Sequence, residues 1–232
     1  MRNITAPKKP LLVFDVNETL LDLEKIAPIF ERIFGEKLAM RRWYADLILY
    51  SEALTLAKVY ASFTDISAAL LQMMASTRGI SITEADKREL FETFASMPPY
   101  AEVPAALERL RDAGFRLFAL TNGQTDVLAR QLGRGGIIQY FENVFSIDQV
   151  QRYKPAPEAY AYVEAQLGTK PADLMLVACH AWDTLGAVAA GWRAALIKRP
   201  GNDVLGVGPQ PELTGTDLTD IAAQLTTMYT VS

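Results

Sequence analysis

The chain has 232 residues, of which 50% are hydrophobic and 22% charged, and its formal net charge is -4 at pH 7. This length allows one core, or one core that carries an insertion. There are no basic runs with interleaved aromatic residues, so the sequence gives no reason to propose nucleic-acid binding, and no apolar stretch approaches the roughly 20 residues of a membrane helix. We therefore expect neither a nucleic acid nor a membrane as a partner.

Cys179 is the only cysteine of the chain. A single thiol cannot form an internal disulfide, so a reducing compartment is expected, and we predict a cytoplasmic location. Because the chain is acidic overall, an anionic ligand would have to be captured by a local positive site.

The first predicted element is a buried strand at Leu11–Phe14, a continuous apolar run that ends at Asp15. Residues 22–98 then show apolar residues at helical spacing, and Pro98 and Pro99 close this segment. We predict that 22–98 form a helical cap subdomain, inserted between the first two strands of an α/β core domain made of 1–21 and 99–232.

The remaining elements alternate between strand and helix. Further apolar runs predict strands at 115–120, 144–147, 174–179 and 194–197. Helical patterns lie between them at 103–113, 125–132, 157–167 and 184–190. This alternation predicts an α/β fold, with a Rossmann-like, doubly wound parallel sheet that helices cover on both faces.

Polar residues follow the predicted strands, at the sheet edge where open α/β sheets bind ligands. In chain order they are Asp15, Thr19, Thr121, Asn122, Lys154, Tyr160, His180, Trp182 and Asp183. Singly, each has an ordinary explanation, since a carboxylate after a strand often caps a helix and Asn-Gly usually marks a turn. Their recurrence at comparable offsets after successive strands favours a functional site.

This ordered set resembles the haloacid dehalogenase superfamily, in which a strand-Asp, a strand-Thr or Ser, a Lys and a final Asp accompany a cap inserted after the first motif. The segment 181–187 (AWDTLGA) resembles the L-2-haloacid dehalogenase subgroup. Two positions depart from the phosphatases of the superfamily: Asn17 stands where they carry a second acid, and Asp183 is the only carboxylate of the last motif.

Phosphoryl transfer needs a metal to neutralise charge and a proton donor for the leaving alkoxide, whereas a halide leaves without a proton. The resemblance therefore implies a metal-independent hydrolase without a cofactor, which converts a short (S)-2-haloacid or haloacetate to the 2-hydroxy acid. Three alternatives stay open: a related hydrolase that opens another electrophilic alpha-carbon substrate such as a cyclic amino acid, a phosphatase, and a non-catalytic binding module. A homodimer is also implied by the resemblance.

The resemblance further implies roles for single residues. Asp15 is the expected nucleophile, which forms an aspartyl ester, and Lys154 keeps it ionised. Asp183 is expected to position or activate the hydrolytic water. Thr19 and Thr121 are expected to hydrogen-bond the nucleophile and the substrate carboxylate.

The substrate-binding residues are implied in the same way. Tyr160 is expected near the substrate carboxylate, or else in the core. Arg41 or Arg42 is expected to receive the halide, with Arg41 preferred and Asn122 sharing this role, and Trp182 would exclude water.

His180 departs from the subgroup, where Asn is usual at this position. It is expected either to assist water activation or to bind a small halide such as fluoride, the alternative being a histidine that merely bonds a neighbouring loop.

Overall fold

The computed structural model describes residues 8–229. Within this range six strands form one sheet, in the order β3-β2-β1-β4-β5-β6 and with every neighbouring pair parallel. Their bounds are β1 Leu11–Phe14, β2 Leu117–Thr121, β3 Asn143–Ser146, β4 Leu174–Ala178, β5 Arg193–Ile197 and β6 Leu213–Gly215. The order reverses at β1, which is the topological switch point of a doubly wound sheet.

Four α-helices follow β1 before the chain returns to the sheet. They are α1 Ala27–Phe34, α2 Ala39–Leu56, α3 Phe63–Ser76 and α4 Glu84–Phe94. Local chemistry sets their ends: Gly35 ends α1 in the left-handed conformation at φ 72°, and the Ser62 and Thr83 side chains cap α3 and α4. The helices α1, α2, α3 and α4 pack on one another.

The two segments that join these four helices to the sheet pair with each other. Asp22 N–H donates to the Pro98 carbonyl at 2.9 Å, and Tyr100 N–H donates to the Leu20 carbonyl at 3.0 Å. The predicted boundaries at 21/22 and 98/99 fall on this pair, and the division into 1–21 with 99–232 and 22–98 stays a prediction. Residues 1–7 and 230–232 of that division lie outside the described range.

The remaining helices are α5 Val103–Asp112, α6 Thr125–Arg134, α7 Pro157–Leu167, α8 Ala181–Ala189 and α9 Leu218–Tyr229. Contacts join α5 to α9 and α7 to α8. In right-handed crossovers α5 and α6 lie on the opposite face of the sheet from α7 and α8, and α9 returns to the face of α5. The predicted fold class is therefore confirmed.

The sequence-based elements differ from the observed ones in two ways. Strand and helix bounds shift by up to three residues, most at α8, which begins at Ala181 instead of residue 184. The final strand β6 and helix α9 were not predicted. The strand has three residues and only one is buried, so its apolar signal is weak. Within residues 8–229, no helix is both long and apolar enough to cross a membrane.

Candidate active site

The site lies at the carboxyl ends of β1, β2 and β4, next to the switch point of the sheet. Asp15 directly follows β1 and is 5% exposed. Its Oδ1 accepts a hydrogen bond from Lys154 Nζ at 2.9 Å. Its Oδ2 accepts one from Thr19 Oγ1 at 2.6 Å and lies 3.2 Å from His180 Nδ1. Both carboxylate oxygens are therefore held in place by groups from three different loops.

Lys154 is fully buried, and all three of its ammonium hydrogens have acceptors. Besides Asp15, Nζ donates to Asp183 Oδ2 at 2.6 Å and to the Leu120 carbonyl at 3.2 Å. The backbone N–H of Lys154 donates to Asn122 Oδ1 at 2.9 Å, which fixes the loop that carries the lysine. This ammonium is thus placed between two buried carboxylates.

The charges of this group follow from the arrangement. Burial would raise the pKa of Asp15, but the ammonium of Lys154 and the hydrogen bonds from His180 and Thr19 together lower it well below its ordinary range. Burial would lower the pKa of Lys154, and its two carboxylate partners raise it instead. Asp15 is therefore an anion and Lys154 a cation at neutral pH, as a nucleophilic carboxylate requires.

Asp183 and Tyr160 form a support behind Lys154. Tyr160 is buried, and its hydroxyl donates to Asp183 Oδ1 at 2.7 Å. A Cβ added at Gly186 would lie 2.6 Å from this hydroxyl, so glycine is needed for the close approach. Of the two roles predicted for Tyr160, these contacts favour a position in the core, since its hydroxyl is engaged by Asp183. Asp183 has no exposed surface, and its contacts support a role in holding Lys154.

Thr121 and Asn122 organise the end of β2. Thr121 Oγ1 accepts from the Gly123 N–H at 3.0 Å, so this hydroxyl shapes the turn. The Asn122 side chain uses its oxygen on Lys154, while its Nδ2 is buried and has no hydrogen-bond partner among residues 8–229. A buried donor without an acceptor is costly, which marks this amide as a group that a ligand would satisfy.

The opposite side of Asp15 is formed by His180 and Glu18. His180 Nε2 lies 2.9 Å from Glu18 Oε2. Glu18 is 2% exposed and adopts a left-handed backbone, with φ 65°. The imidazole stacks on Trp182, with ring centroids 5.1 Å apart, and also contacts the Tyr44 ring, with centroids 5.9 Å apart. The imidazole of His180 is thus held at both nitrogens and by two aromatic rings.

The two candidate arginines have different surroundings. The Arg41 guanidinium forms ion pairs with Glu18 and Glu24, and its side chain is 27% exposed. The Arg42 side chain is 70% exposed and pairs with Asp46 one helical turn away. The structure therefore brings Arg41, but not Arg42, to the site, which corrects the predicted substrate contact of Arg42. Arg41 reaches the site with its charge already balanced by two carboxylates.

A cavity of about 280 Å³ opens beside His180 and Glu18, and His180 separates it from Asp15. Its lining includes Glu18, Arg41, Tyr44, His180 and Trp182. Because one water occupies about 30 Å³ of liquid, this space admits an acid of two or three carbons.

Comparison with known proteins agrees with this arrangement. A family model described as haloacid dehalogenase-like hydrolase matches residues 10–191. The chain belongs to this family. The predicted family and the prediction that the chain is an enzyme, a hydrolase, are thereby confirmed.

Relatives of this haloacid dehalogenase-like hydrolase carry the names of the predicted subgroup. It is 28% identical to (S)-2-haloacid dehalogenase 2 of Pseudomonas sp. (strain CBS-3) over 204 residues, which cover 87% of this chain and 89% of the relative. It is also 28% identical to haloacetate dehalogenase H-2 of Moraxella sp. (strain B) over 206 residues, which cover 88% and 92% of the two chains.

A solved structure resembles this hydrolase over most of its length. That solved structure is the L-2-haloacid dehalogenase from Xanthobacter autotrophicus with chloropropionic acid covalently bound. Its TM-score to this chain is 0.85, at 23% sequence identity. The match covers 94% of this chain and 98% of the other. At this identity the likeness shows the shared fold.

The donor set of the hydrolase does not fit a magnesium ion. Ligand atoms of Asp15, Cys179 and His180 lie within 4.8 Å of one another. Mg²⁺ prefers oxygen ligands, but here only one residue offers oxygens, and those are bonded to Lys154 and Thr19. Burial raises the pKa of the Cys179 thiol, which keeps it protonated and a poor ligand. These residues therefore do not form a magnesium site.

Glu18 is the site residue that the sequence did not reveal. It lies in the loop DVNET, in which only Asp15 and Thr19 were predicted to be catalytic. The signal that could have found it is the single histidine at the end of β4, because a buried imidazole beside one carboxylate is often oriented by a second. Its inward position depends on the left-handed backbone, which sequence pattern does not specify.

Proposed function

We propose that this hydrolase converts a short (S)-2-haloacid or a haloacetate to the 2-hydroxy acid through an ester on Asp15. The observation that carries the proposal is the buried, ionised carboxylate of Asp15, which Lys154 holds and which contacts His180, a residue that lines a cavity of small-molecule size. A dry carboxylate of fixed orientation is a better nucleophile than a hydrated one, because no water shell must be removed at the moment of attack.

In the first step an Asp15 carboxylate oxygen attacks the carbon that bears the halogen, on the side opposite the halogen. A carbon–oxygen bond forms, the carbon–halogen bond breaks, and the halide departs with the bonding electrons. Lys154 holds the reacting group throughout, and the free Nδ2 of Asn122 supplies a donor for a substrate or product anion. In-line displacement of this kind inverts the configuration of the carbon.

In the second step water attacks the carbonyl carbon of the Asp15 ester. The bond between that carbon and the ester oxygen breaks, so the hydroxy acid is released and the carboxylate is restored. One oxygen of water therefore enters Asp15 in each turnover, which distinguishes this route from direct attack of water on the substrate.

The surroundings of Asn17 argue against a phosphatase. Its amide oxygen accepts from Gln131 Nε2 at 3.3 Å, so the side chain is turned toward α6. An amide has no acidic proton to give to a leaving alkoxide, and phosphoryl transfer relies on such a donor and on a metal.

The first test is release of halide from fluoro-, chloro- and bromoacetate and from both enantiomers of 2-chloropropionate. We expect release without added metal, unchanged by a chelator, with the (S)-enantiomer preferred. A strained cyclic amino acid and a general phosphate ester serve as competing substrates. Turnover of either of these, with no halide release from any haloacid, would exclude the proposal.

The second test follows the oxygen of water. Turnover in ¹⁸O-water should place label in the peptide that contains Asp15, read by mass spectrometry. Asp15→Ala should abolish both halide release and labelling. Steady turnover without label in this peptide contradicts the ester route.

A homodimer and a cytoplasmic location are also proposed for this chain. The dimer rests on the family resemblance, and the location on a single, buried free thiol, which suits a reducing compartment. Light scattering of the purified protein tests the first, and cell fractionation tests the second.

A further inference from the structure

A buried arginine from the far side of the sheet contacts the loop that carries the nucleophile. Arg199 lies just after β5 and is 6% exposed. Its Nη2 donates to the Thr19 carbonyl at 2.9 Å, and its Nε donates to the same oxygen at 3.3 Å. One carbonyl oxygen thus accepts from two nitrogens of a planar guanidinium, an arrangement that a lysine ammonium cannot reproduce.

The other contacts of Arg199 lie on the segment by which the chain returns from α4 to the sheet. Nη1 lies 2.7 Å from Glu102 Oε1, which forms an ion pair. The guanidinium carbon lies 3.7 Å from the centre of the Tyr100 ring, and a cation over an aromatic face is attracted to it. The Tyr100 N–H donates to the Leu20 carbonyl at 3.0 Å. Arg199 therefore joins this segment to the loop after β1.

Thr19 connects Arg199 to the nucleophile. Thr19 has no exposed surface, and its hydroxyl donates to Asp15 Oδ2 at 2.6 Å and accepts from the Cys179 N–H at 3.0 Å. The hydroxyl of this residue is thus engaged by Asp15 and its carbonyl by Arg199. A shift of the backbone at Thr19 would change the direction from which Asp15 Oδ2 is held.

The loop that Arg199 contacts contains a strained residue. Glu18 has φ 65°, a left-handed conformation that residues with a Cβ adopt only at a cost. The Leu20 N–H donates to the Val16 carbonyl at 2.9 Å and closes a tight turn around Glu18. Strained backbone persists where the surrounding structure holds it. The Arg199 side chain holds the carbonyl of the residue that directly follows the strained one.

We infer that Arg199 is a positioning residue for ester formation, which holds the Thr19 carbonyl and thereby the direction of the Asp15 carboxylate. This inference rests on the proposed ester route. Displacement at carbon requires the attacking oxygen to lie in line with the bond that breaks, so a small misplacement of the nucleophile lowers the rate steeply. Arg199 acts on this step through Thr19.

The backbone around Arg199 is held independently of its side chain. The Arg199 N–H donates to the Ile197 carbonyl at 2.9 Å, and the Asn202 N–H donates to the Arg199 carbonyl at 2.9 Å. Gly201 and Asn202, which line the cavity of about 280 Å³, should therefore keep their places when the side chain is replaced. We expect loss of the guanidinium to slow displacement without weakening the binding of substrate.

Rapid-quench measurement of chloride release from chloroacetate tests the inference. The first-turnover rate is measured over a range of chloroacetate concentrations. In Arg199→Met the maximum rate should fall about 10–100-fold, while the half-saturating concentration stays within about 3-fold of the native value. Arg199→Lys keeps the charge and a single donor group, so it should recover part of the rate and fall between Arg199→Met and the native enzyme.

Arg193 at the start of β5 provides a matched control. It pairs with Glu212, donates to the Tyr229 hydroxyl, and places its guanidinium 5.7 Å from the centre of the Tyr229 ring. It thus makes the same kinds of contact with a glutamate and a tyrosine, at the opposite end of the same strand. Arg193→Met should lower the urea midpoint of unfolding, as Arg199→Met does, but leave the first-turnover rate within about 2-fold of the native rate.

Three results would overturn the inference. The first is a native maximum rate in Arg199→Met, and the second is an equal fall in Arg193→Met, which would assign the effect to general loss of stability. The third is a raised half-saturating concentration at an unchanged maximum rate, which would make Arg199 a residue of substrate binding. If Arg199→Met does not fold, a native maximum rate in Arg199→Lys overturns the inference in its place.

The native enzyme separates this inference from the proposed function. If the native enzyme releases no halide and forms no ester, the proposed function fails. If the native enzyme releases halide through the ester while both Arg199 variants do so at the native rate, only the role of Arg199 fails.

Discussion

The two sides of Asp15 are built differently. On one side Lys154 and Asp183 are both fully buried and have no contact with the cavity. On the other side His180 and Glu18 are nearly buried but line the cavity, and Arg41 extends from them toward solvent. The difference indicates that the fully buried side fixes the charge of the nucleophile, whereas the side that lines the cavity is the one that a small molecule can reach.

Loss of Lys154 should have the largest effect. Lys154→Met leaves two buried carboxylates without their shared cation, and breaking a buried ion pair in this way costs about 3–5 kcal/mol. We expect the free energy of unfolding to fall by this amount and halide release to become undetectable. Urea unfolding and a chloride assay measure the two effects.

Lys87→Met is the matched control, since Lys87 pairs with Glu84 on the surface of α4, where Glu84 is 82% exposed. Such a pair contributes less than about 1 kcal/mol. Equal loss of stability in both variants would show that the buried position of Lys154 is not what matters.

The two arginines provide the second test. Arg41→Gln should leave the buried Glu18 with His180 as its main partner, at a cost of about 1–3 kcal/mol in the free energy of unfolding. Arg42→Gln removes a surface ion pair with Asp46, one helical turn away, which contributes about 0.3–0.5 kcal/mol to the free energy of unfolding. We expect slower turnover in the first variant alone. A larger loss of turnover in Arg42→Gln would contradict the placement of both side chains.

The pH dependence of stability should differ between the two sides. The pKa of His180 is raised on folding, so its stabilising contribution is complete below the ordinary value of 6.5 and is lost as pH rises through the folded pKa. The pKa of Asp15 is lowered, so its contribution is present above the ordinary 3.8 and is lost as pH falls through the folded pKa.

Urea unfolding at a series of pH values measures this dependence. On the alkaline side the slope should reach at most about 1.4 kcal/mol per pH unit for one proton. His180→Gln should remove this slope and also weaken the acid-side dependence, because His180 is one of the groups that lower the pKa of Asp15. An alkaline slope that survives in the variant would assign it to another group.

The smallest effect is expected at Tyr160. Tyr160→Phe removes the hydroxyl that donates to Asp183, and the loss of one such hydrogen bond costs about 1 kcal/mol. Turnover should fall a few-fold, since Asp183 still holds Lys154. Tyr162→Phe, on the same helix and only partly buried, should be nearly neutral in both thermal unfolding and activity. Equal effects in the two variants would contradict the role of the Tyr160 hydroxyl in supporting Asp183.

Sequence pattern was most informative where burial alone decides structure. The strand β1 and the acid that follows it could be located because a continuous apolar run is typical of a central parallel strand. The position of Asp15 relative to Lys154 then follows from the common edge of the sheet. These features need only the order of the elements.

Sequence pattern was least informative where side chains meet across loops. Tyr160 could be assigned to a helix, but its partner Asp183 depends on how α7 and α8 pack, with Gly186 between them. Arg41 could be chosen over Arg42 by placement, yet its pairing with Glu18 required the three-dimensional structure. Such contacts depend on backbone angles and crossings, which single residues do not specify.

The backbone at Glu18 carries a cost that its ion pairs offset. A residue with a Cβ costs roughly 1–2 kcal/mol in the left-handed conformation, which glycine adopts freely. Glu18→Gly would relieve this strain, but it would leave His180 and Arg41 without their shared carboxylate, and breaking a buried ion pair costs about 3–5 kcal/mol. The strained backbone therefore persists because the side chain that it carries is needed by two partners.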